Sequence, residues 1–208
     1  MLRAIDPTNS LVPLTIALFV GGLLSACQAS DPSENAESRT VTAVLPGDPQ
    51  EAARWFTLGC EQIRDNDMDQ ASQCFQRALA EDPTHGPSHN NLGKIQFNRG
   101  EFQAAALSFQ AANKSMPYRP EPLNNLGLVL ESGNRLEAAA ERFEAAANLA
   151  PNEPEYIANW ARVRVRLGGQ DQVLRRDLAH IARHDPRERW AQWAEAELRR
   201  IESASLEP

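Results

Sequence analysis

A period of 34 residues runs through the middle of the chain and constrains its fold more than any other feature. Six positions recur at this interval: a leucine, the glycine after it, an alanine twelve positions later, a phenylalanine, a second alanine and a proline. The members are Leu58, Leu92, Leu126; Gly59, Gly93, Gly127; Ala71, Ala105, Ala139; Phe75, Phe109, Phe143; Ala78, Ala112, Ala146; and Pro83, Pro117, Pro151. A fixed period of this length indicates an array of stacked repeats.

Each recurring residue has a physical role in a pair of antiparallel helices. The small glycines and alanines let the two helices approach closely, leucine and phenylalanine fill the space between neighbouring repeats, and proline ends the second helix. A further column contains Asn66, Gly100, Asn134 and Gly168. Glycine and asparagine tolerate the left-handed backbone that stops a helix, so this column predicts the turn inside each pair.

The spacing and residue types resemble the tetratricopeptide-repeat (TPR) family, whose pattern is W-x₂-L-G-x₂-Y…A-x₃-F…P. The resemblance covers about residues 52–187 and weakens after residue 168. It implies an all-α fold, a right-handed α-solenoid whose concave groove is lined by the first helix of each repeat. The usual work of such solenoids is binding extended peptides or scaffolding complexes.

The period divides the body of the chain into four repeats and a final helix. The fourth repeat is degenerate, because Asp177 stands where phenylalanine is expected and His180 where alanine is expected. We expect the last helix to cap the solenoid, with Trp190 and Trp193 packing against the last repeat. The predicted segments are 52–85, 86–119, 120–153, the degenerate 154–187 and the capping helix 188–203.

The N-terminal residues 1–26 have the features of an export signal. An uncharged apolar run, Leu11–Ala26, follows a short segment that carries Arg3. The run is shorter than the roughly 20 residues that a membrane-spanning helix needs, so it is more typical of a signal-peptide core.

The stretch Leu24-Ser25-Ala26-Cys27 resembles the lipobox of bacterial lipoproteins. This resemblance implies that Cys27 carries the lipid, and more than one acyl chain makes such attachment stable. In enterobacterial lipoproteins, the residue directly after the lipidated cysteine decides the membrane, and a residue other than Asp implies the outer membrane. That residue is Gln28 here, so the resemblance implies an outer-membrane lipoprotein that faces the periplasm. An ordinary cleaved signal peptide, or a chance cysteine at the end of an uncleaved anchor, are the competing interpretations.

Residues 27–50 follow as a segment rich in Ser, Asp, Glu, Ala and Pro without helical periodicity, which predicts a flexible tether. The formal net charge of the whole chain is −7. Nucleic acid attracts clustered Lys and Arg on a basic domain, so the charge argues against it as the main partner.

An asparagine recurs just before the Leu-Gly pair, in the column that faces the groove in the TPR frame: Asn91, Asn125 and Asn159. The resemblance extends to TPR superhelices in which an asparagine ladder binds the backbone of an extended peptide. A side-chain amide offers both a donor and an acceptor to a peptide unit, so the column predicts a peptide-binding groove.

Basic residues follow these asparagines on the same helix faces. Lys94 comes three residues after Asn91, and Arg162 and Arg166 come three and seven residues after Asn159. The pattern predicts a preference for an acidic segment or a C-terminal carboxylate. Solvated, solubilising side chains are the alternative interpretation.

Two further groups of residues have spacings that are compatible with a disulfide and with a metal site, and each also has a structural explanation. Cys60 and Cys74 lie on either side of the first turn and could form a disulfide in an oxidising periplasm, although free buried thiols are common in helix interfaces. Asp177, His180 and His184 share one helical face and could present metal ligands. Zinc sites need a fourth group, so a solvated helix end is the favoured interpretation.

The sequence contains no glycine-rich phosphate loop, no H-E-x-x-H and no nucleophile elbow. We therefore expect no enzyme, no cofactor and no resident metal. The chain resembles small TPR lipoproteins that assist pilus or secretion-complex assembly, which implies an adaptor or scaffold that binds protein segments. An adaptor for cell-wall enzymes is an alternative, and a metal-binding regulatory protein using His180 and His184 is an alternative of another class.

Overall fold

A computed structural model of the chain describes residues 47–204. This part of the chain forms nine helices and contains no strand, which confirms the predicted all-α class. The helices are α1 (Pro49–Arg64), α2 (Met68–Glu81), α3 (Gly86–Asn98), α4 (Phe102–Ser115), α5 (Pro120–Ser132), α6 (Leu136–Leu149), α7 (Pro154–Arg166), α8 (Gln172–His184) and α9 (Glu188–Ala204). The predicted signal peptide, Cys27 and the tether up to residue 46 lie outside the described residues.

The first helix begins inside the segment predicted to be a tether. Asp48 caps α1, because its carboxylate accepts a 2.8 Å hydrogen bond from the backbone N–H of Gln50. Pro49 occupies the first helical position, where its missing N–H costs nothing. None of the helices in residues 47–204 is long and apolar enough to span a membrane.

The helices pack as antiparallel pairs that stack on one another. Each of α1, α3, α5 and α7 packs on the helix that follows it, and α9 packs on α8. Helix α3 also contacts α5, and α5 contacts α7. The guanidinium of Arg162 in α7 lies 5.2 Å from the centre of the Trp190 ring in α9. Asn91 of α3 donates to the sulfur of Cys60 in α1 over 3.8 Å. The helices α1, α3, α5, α7 and α9 therefore form one continuous row, called here the first-helix row.

The turn column has the predicted left-handed backbone. The backbone φ angles are 62° at Asn66, 77° at Gly100, 55° at Asn134 and 79° at Gly168. Each turn follows directly on the first helix of its pair, so the prediction from the alternating Asn and Gly is confirmed.

The glycines of the Leu-Gly column lie against the phenylalanine rings of their own repeats. A Cβ added at Gly93 would be 2.7 Å from Phe109 Cε1, and the corresponding distance at both Gly59 and Gly127 would be 2.6 Å. Carbon atoms do not approach this closely, so only glycine permits the contact. Phe75, Phe109 and Phe143 are at most 1% exposed and form the centres of successive pairs.

The fourth pair replaces this contact with a different one. Ala161 stands at the glycine position and Asp177 at the phenylalanine position, so a larger residue on one helix accompanies a smaller one on the other. Asp177 is buried, and its carboxylate accepts hydrogen bonds from Arg164 (3.5 Å) and Arg176 (3.3 Å). Burial raises the pKa of Asp177, and the two guanidiniums oppose that rise. The fourth repeat departs from the sequence pattern at this position because Asp177 and its ion pairs replace the buried phenylalanine ring of the other repeats.

Candidate functional site

The asparagines of the predicted ladder bond to one another across repeats. Asn125 Nδ2 donates to Asn90 Oδ1 over 3.0 Å, and Asn159 Nδ2 donates to Asn124 Oδ1 over 2.8 Å. Each acceptor is the first asparagine of the pair in the preceding repeat. These bonds join α3 to α5 and α5 to α7, so they hold successive members of the first-helix row together.

The structure therefore corrects the predicted role of Asn159. Its side chain is 5% exposed and that of Asn124 is 2% exposed, and the bond between them is buried. An amide in this position supports the packing of α5 on α7 and is not presented to a ligand. Asn125 is partly buried, and its Nδ2 is likewise committed to Asn90.

Asn91 is in a different environment, at a pocket of about 200 Å³ on the first-helix row. Its Nδ2 donates only to the sulfur of Cys60, over 3.8 Å. Within residues 47–204, neither Asn91 Oδ1 nor Asn90 Nδ2 has a hydrogen-bond partner. We call this site the amide pocket, and its lining residues are Phe56, Pro87, Asn90, Asn91, Met116, Arg119 and Glu121.

Charged and aromatic groups shape the amide pocket. Arg119 donates to Glu121 from both Nη2 (2.7 Å) and Nε (3.2 Å), and these hydrogen bonds lower the pKa of Glu121. The Phe56 ring lies 5.2 Å from the ring of His85, which caps α3 through Ser88 N–H. Lys94 is exposed on α3 and has no ion pair among the described residues. The pocket thus combines unpaired amide groups, an apolar wall and a neutralised ion pair.

The two predicted anion-binding arginines converge on one carboxylate. Arg162 donates to both oxygens of Glu131, with Nε 3.0 Å from Oε1, and Arg166 Nη1 lies 2.8 Å from the same oxygen. The side chain of Glu131 is 13% exposed. Neither guanidinium is therefore free in this structure, because Glu131 binds both. Two positive charges still share a single negative one.

A second pocket lies where α7 meets α9. It measures about 340 Å³, and we call it the tryptophan pocket; its lining residues are Arg162, Arg189, Trp190 and Trp193. The two indoles also pack against the apolar core of the last repeat, as expected. Neither Arg189 nor this pocket was predicted from the sequence. One signal was present, because Trp193 falls 34 residues after Asn159, in the asparagine column.

The two remaining clusters are the cysteine pair and the Asp177, His180 and His184 face, for which a disulfide and a metal site were considered as possibilities. Cys60 and Cys74 are free thiols, so the disulfide considered above is absent. Cys60 faces α3, where Asn91 bonds its sulfur, whereas Cys74 is buried on α2, and burial raises the pKa of both thiols. The rings of His180 and His184 lie 4.8 Å apart. No group of three His, Cys, Asp or Glu side chains in residues 47–204 is placed to bind a metal ion.

Comparison with known proteins identifies the repeats. Residues 56–120 match the family model described as tetratricopeptide repeat. No curated protein matches the chain. A solved tetratricopeptide repeat protein from Parabacteroides merdae is 17% identical, with a TM-score of 0.63 over 74% of this chain and 61% of that one.

Two further solved structures show the same fold. YrrB, described as a TPR protein with an unusual peptide-binding site, is 18% identical, with a TM-score of 0.62 over 74% of this chain and 82% of that one. The first TPR of Spaghetti (RPAP3), solved bound to the HSP90 peptide SRMEEVD, is 19% identical, with a TM-score of 0.57 over 60% of this chain and 99% of that one. The predicted TPR solenoid is confirmed.

Proposed function

We propose that this protein, which has the tetratricopeptide-repeat fold, is a non-catalytic adaptor that binds an extended segment of a partner protein along the first-helix row. The observation that carries the proposal is the amide pocket. There Asn90 Nδ2 and Asn91 Oδ1, a donor and an acceptor, have no partner in the described part of the chain, and both residues line the cavity.

The chemistry of these groups suits a peptide backbone. An extended peptide offers alternating N–H and C=O groups, which a side-chain acceptor and a side-chain donor complement without reading the peptide sequence. Phe56 and Met116 supply an apolar wall for a side chain of the bound segment. YrrB and the first TPR of RPAP3 are structural neighbours described with peptide-binding sites or bound peptides, which supports binding of the same general kind here.

Selection from a random peptide library displayed on phage tests this proposal. We expect the purified protein to enrich peptides whose affinity falls about five- to tenfold in the Asn91→Ala variant, because one hydrogen bond contributes about 1 kcal/mol. Asn148→Ala is the matched control, since Asn148 is exposed on the second helix α6. Enriched peptides that bind the Asn91→Ala variant with unchanged affinity would contradict the proposal.

We further propose that the adaptor is anchored by a lipid on Cys27 to the outer membrane, faces the periplasm, and assists assembly of a pilus or secretion complex. The lipobox-like stretch Leu24-Ser25-Ala26-Cys27 and the tether-like segment after it support the anchor. The number of acyl chains matters, because one chain alone gives only reversible attachment.

The Cys27→Ser variant tests the anchor in cells. We expect it to move from the membrane fraction to the soluble fraction, and globomycin treatment of the unaltered protein to block its maturation. Cys60→Ser is the control, because it removes a different thiol and leaves the lipobox-like stretch intact. Membrane association that survives Cys27→Ser would overturn the anchor and leave the groove proposal untouched.

A further inference from the structure

The tryptophan pocket concentrates positive charge beside aromatic surface. Ten arginines lie between Glu153 and the C-terminus, all of them in the described part of the chain. Eight of the ten make ion pairs or hydrogen bonds. Arg183 and Arg189 make neither with any described residue. Only Arg189 of these two lines a pocket, and it is exposed there.

The lining of the pocket contains two arginines and no acidic residue. Arg162 and Arg166 share Glu131, which leaves one positive charge in excess, and Arg189 adds a second. Arg187 is neutralised by Asp185, whose Oδ2 accepts from Arg187 Nη2 over 2.6 Å. The pocket therefore attracts an anion although the whole chain is acidic.

The aromatic walls are fixed in place. Two guanidiniums pack on the Trp190 ring, with Arg162 5.2 Å and Arg187 5.1 Å from its centre. Trp193 meets Trp190 edge to face, with ring centres 5.4 Å apart. The hydrogen bonds that Arg187 makes to Asp185 hold the corner between α8 and α9, so the indoles are preorganised for a ligand.

We propose that the tryptophan pocket binds an acidic segment of the partner protein in which an aromatic side chain is flanked by carboxylates. This inference rests on the proposed function, because it assigns the chemistry of the segment held at the α9 end of the first-helix row. The cavity of about 340 Å³ is at the small end of ligand pockets and accommodates one ring. Arg189 binds one carboxylate, and the indoles pack against the ring. The other carboxylate is attracted by the positive charge that Arg162 and Arg166 leave in excess over Glu131.

The residue types at this site are those that supply most binding energy in protein interfaces. Tryptophan and arginine are enriched among the residues whose truncation costs most. Charge complementarity selects the occupant, since a basic or neutral segment would leave Arg189 without a counter-charge. A free C-terminal carboxylate and a second copy of this chain are the other occupants, and the experiment separates them.

Fluorescence anisotropy with labelled synthetic peptides tests the proposal on the purified protein. The probe is SGDFEGS with an amidated C-terminus, compared with SGNFQGS, which lacks the charges, and SGDAEGS, which lacks the ring. We expect the probe to bind at least about tenfold more tightly than either comparison peptide. Arg189→Glu should abolish binding of the probe, whereas the control Arg183→Glu, on an exposed site of α8, should leave it unchanged.

Several results would overturn the inference. One is equal affinity for SGNFQGS, and another is unchanged binding to Arg189→Glu. A third is equal loss in Arg183→Glu, which would indicate non-specific charge attraction. Binding only of a peptide ending in a free carboxylate would assign the pocket to a C-terminus. Dimerisation of the unaltered protein in sedimentation, lost in Arg189→Glu, would assign it to a second copy.

The two proposals fail in distinguishable ways. Library peptides that depend on Asn91 but bind Arg189→Glu normally would leave the adaptor function standing and remove this inference. Peptides that depend on neither residue would remove both. Because Arg189 is exposed and has no partner in the described part of the chain, its substitution is expected to leave the fold intact.

Discussion

Replacing Phe109 with alanine is expected to lower the free energy of unfolding by about 3–5 kcal/mol, as for other buried aromatic truncations. The ring is 1% exposed and lies in a buried cluster with Leu126 and Val129 of the next repeat. The ring also lies directly against Gly93. Glycine has no side chain that could move into the cavity left by the truncation. Denaturation with guanidinium, monitored by circular dichroism, measures the change.

Leu107→Ala is the matched control for this substitution. Leu107 lies on the same helix, α4, and is 68% exposed, so its truncation is expected to change stability by less than about 0.5 kcal/mol. Equal losses in the two variants would show that Phe109 does not join the second and third repeats. Helix propensity would act in the opposite direction, because alanine is a better helix former than phenylalanine and leucine is close to alanine.

Asn159→Ala is expected to lower the free energy of unfolding by about 1–3 kcal/mol. The loss arises because Asn124 Oδ1, which is buried, loses its donor. Asn148→Ala, at an exposed position, should leave stability nearly unchanged. The same denaturation measurement compares the two variants.

A double variant separates the hydrogen bond from other effects of position 159. Replacing both Asn124 and Asn159 with leucine removes donor and acceptor together and keeps a similar volume, so most of the stability should return. A double variant that loses as much as the single changes added together would contradict the account. In that case the two amides would act on different parts of the structure.

The packing columns were predictable because each depends on one residue and its neighbours in the same repeat. Gly93 predicts close approach of a ring, and the left-handed backbone at Asn66 and Gly100 follows from residue type alone. The exchange of phenylalanine for Asp177 was visible in the sequence. Its partner Arg164 was not, because the pairing depends on how the two helices of the fourth repeat face each other.

The roles of the asparagines and arginines could not be predicted in the same way. A periodic asparagine indicates a shared face of successive helices, but not whether its amide meets a ligand or the neighbouring repeat. The amides of Asn125 and Asn159 donate to Asn90 and Asn124, which stand directly before the ladder asparagines of the preceding repeat. Glu131, which binds Arg162 and Arg166, belongs to the preceding repeat and lies 31 residues before Arg162. Such contacts depend on the stacking distance between repeats.

The first rung of the ladder differs from the others for an identifiable reason. The residue before Thr57 is Phe56, so the first repeat offers no asparagine to accept from Asn91. Among the described residues, the amide nitrogen of Asn91 donates only to the sulfur of Cys60, which is a weak acceptor. The break in the asparagine column thus leaves polar groups of α3 available at the amide pocket. The proposed peptide binding at this pocket therefore rests on the missing asparagine in the first repeat.

Nuclear magnetic resonance of the ¹⁵N-labelled protein, titrated with a library-selected peptide, tests the central claim most directly. The account predicts that the side-chain amide resonances of Asn90 and Asn91 shift on binding, because both line the amide pocket. The Nδ2 resonances of Asn113 and Asn148, on the second helices α4 and α6, should stay in place. Shifts confined to Asn113 and Asn148, with Asn90 and Asn91 unchanged, would contradict binding along the first-helix row.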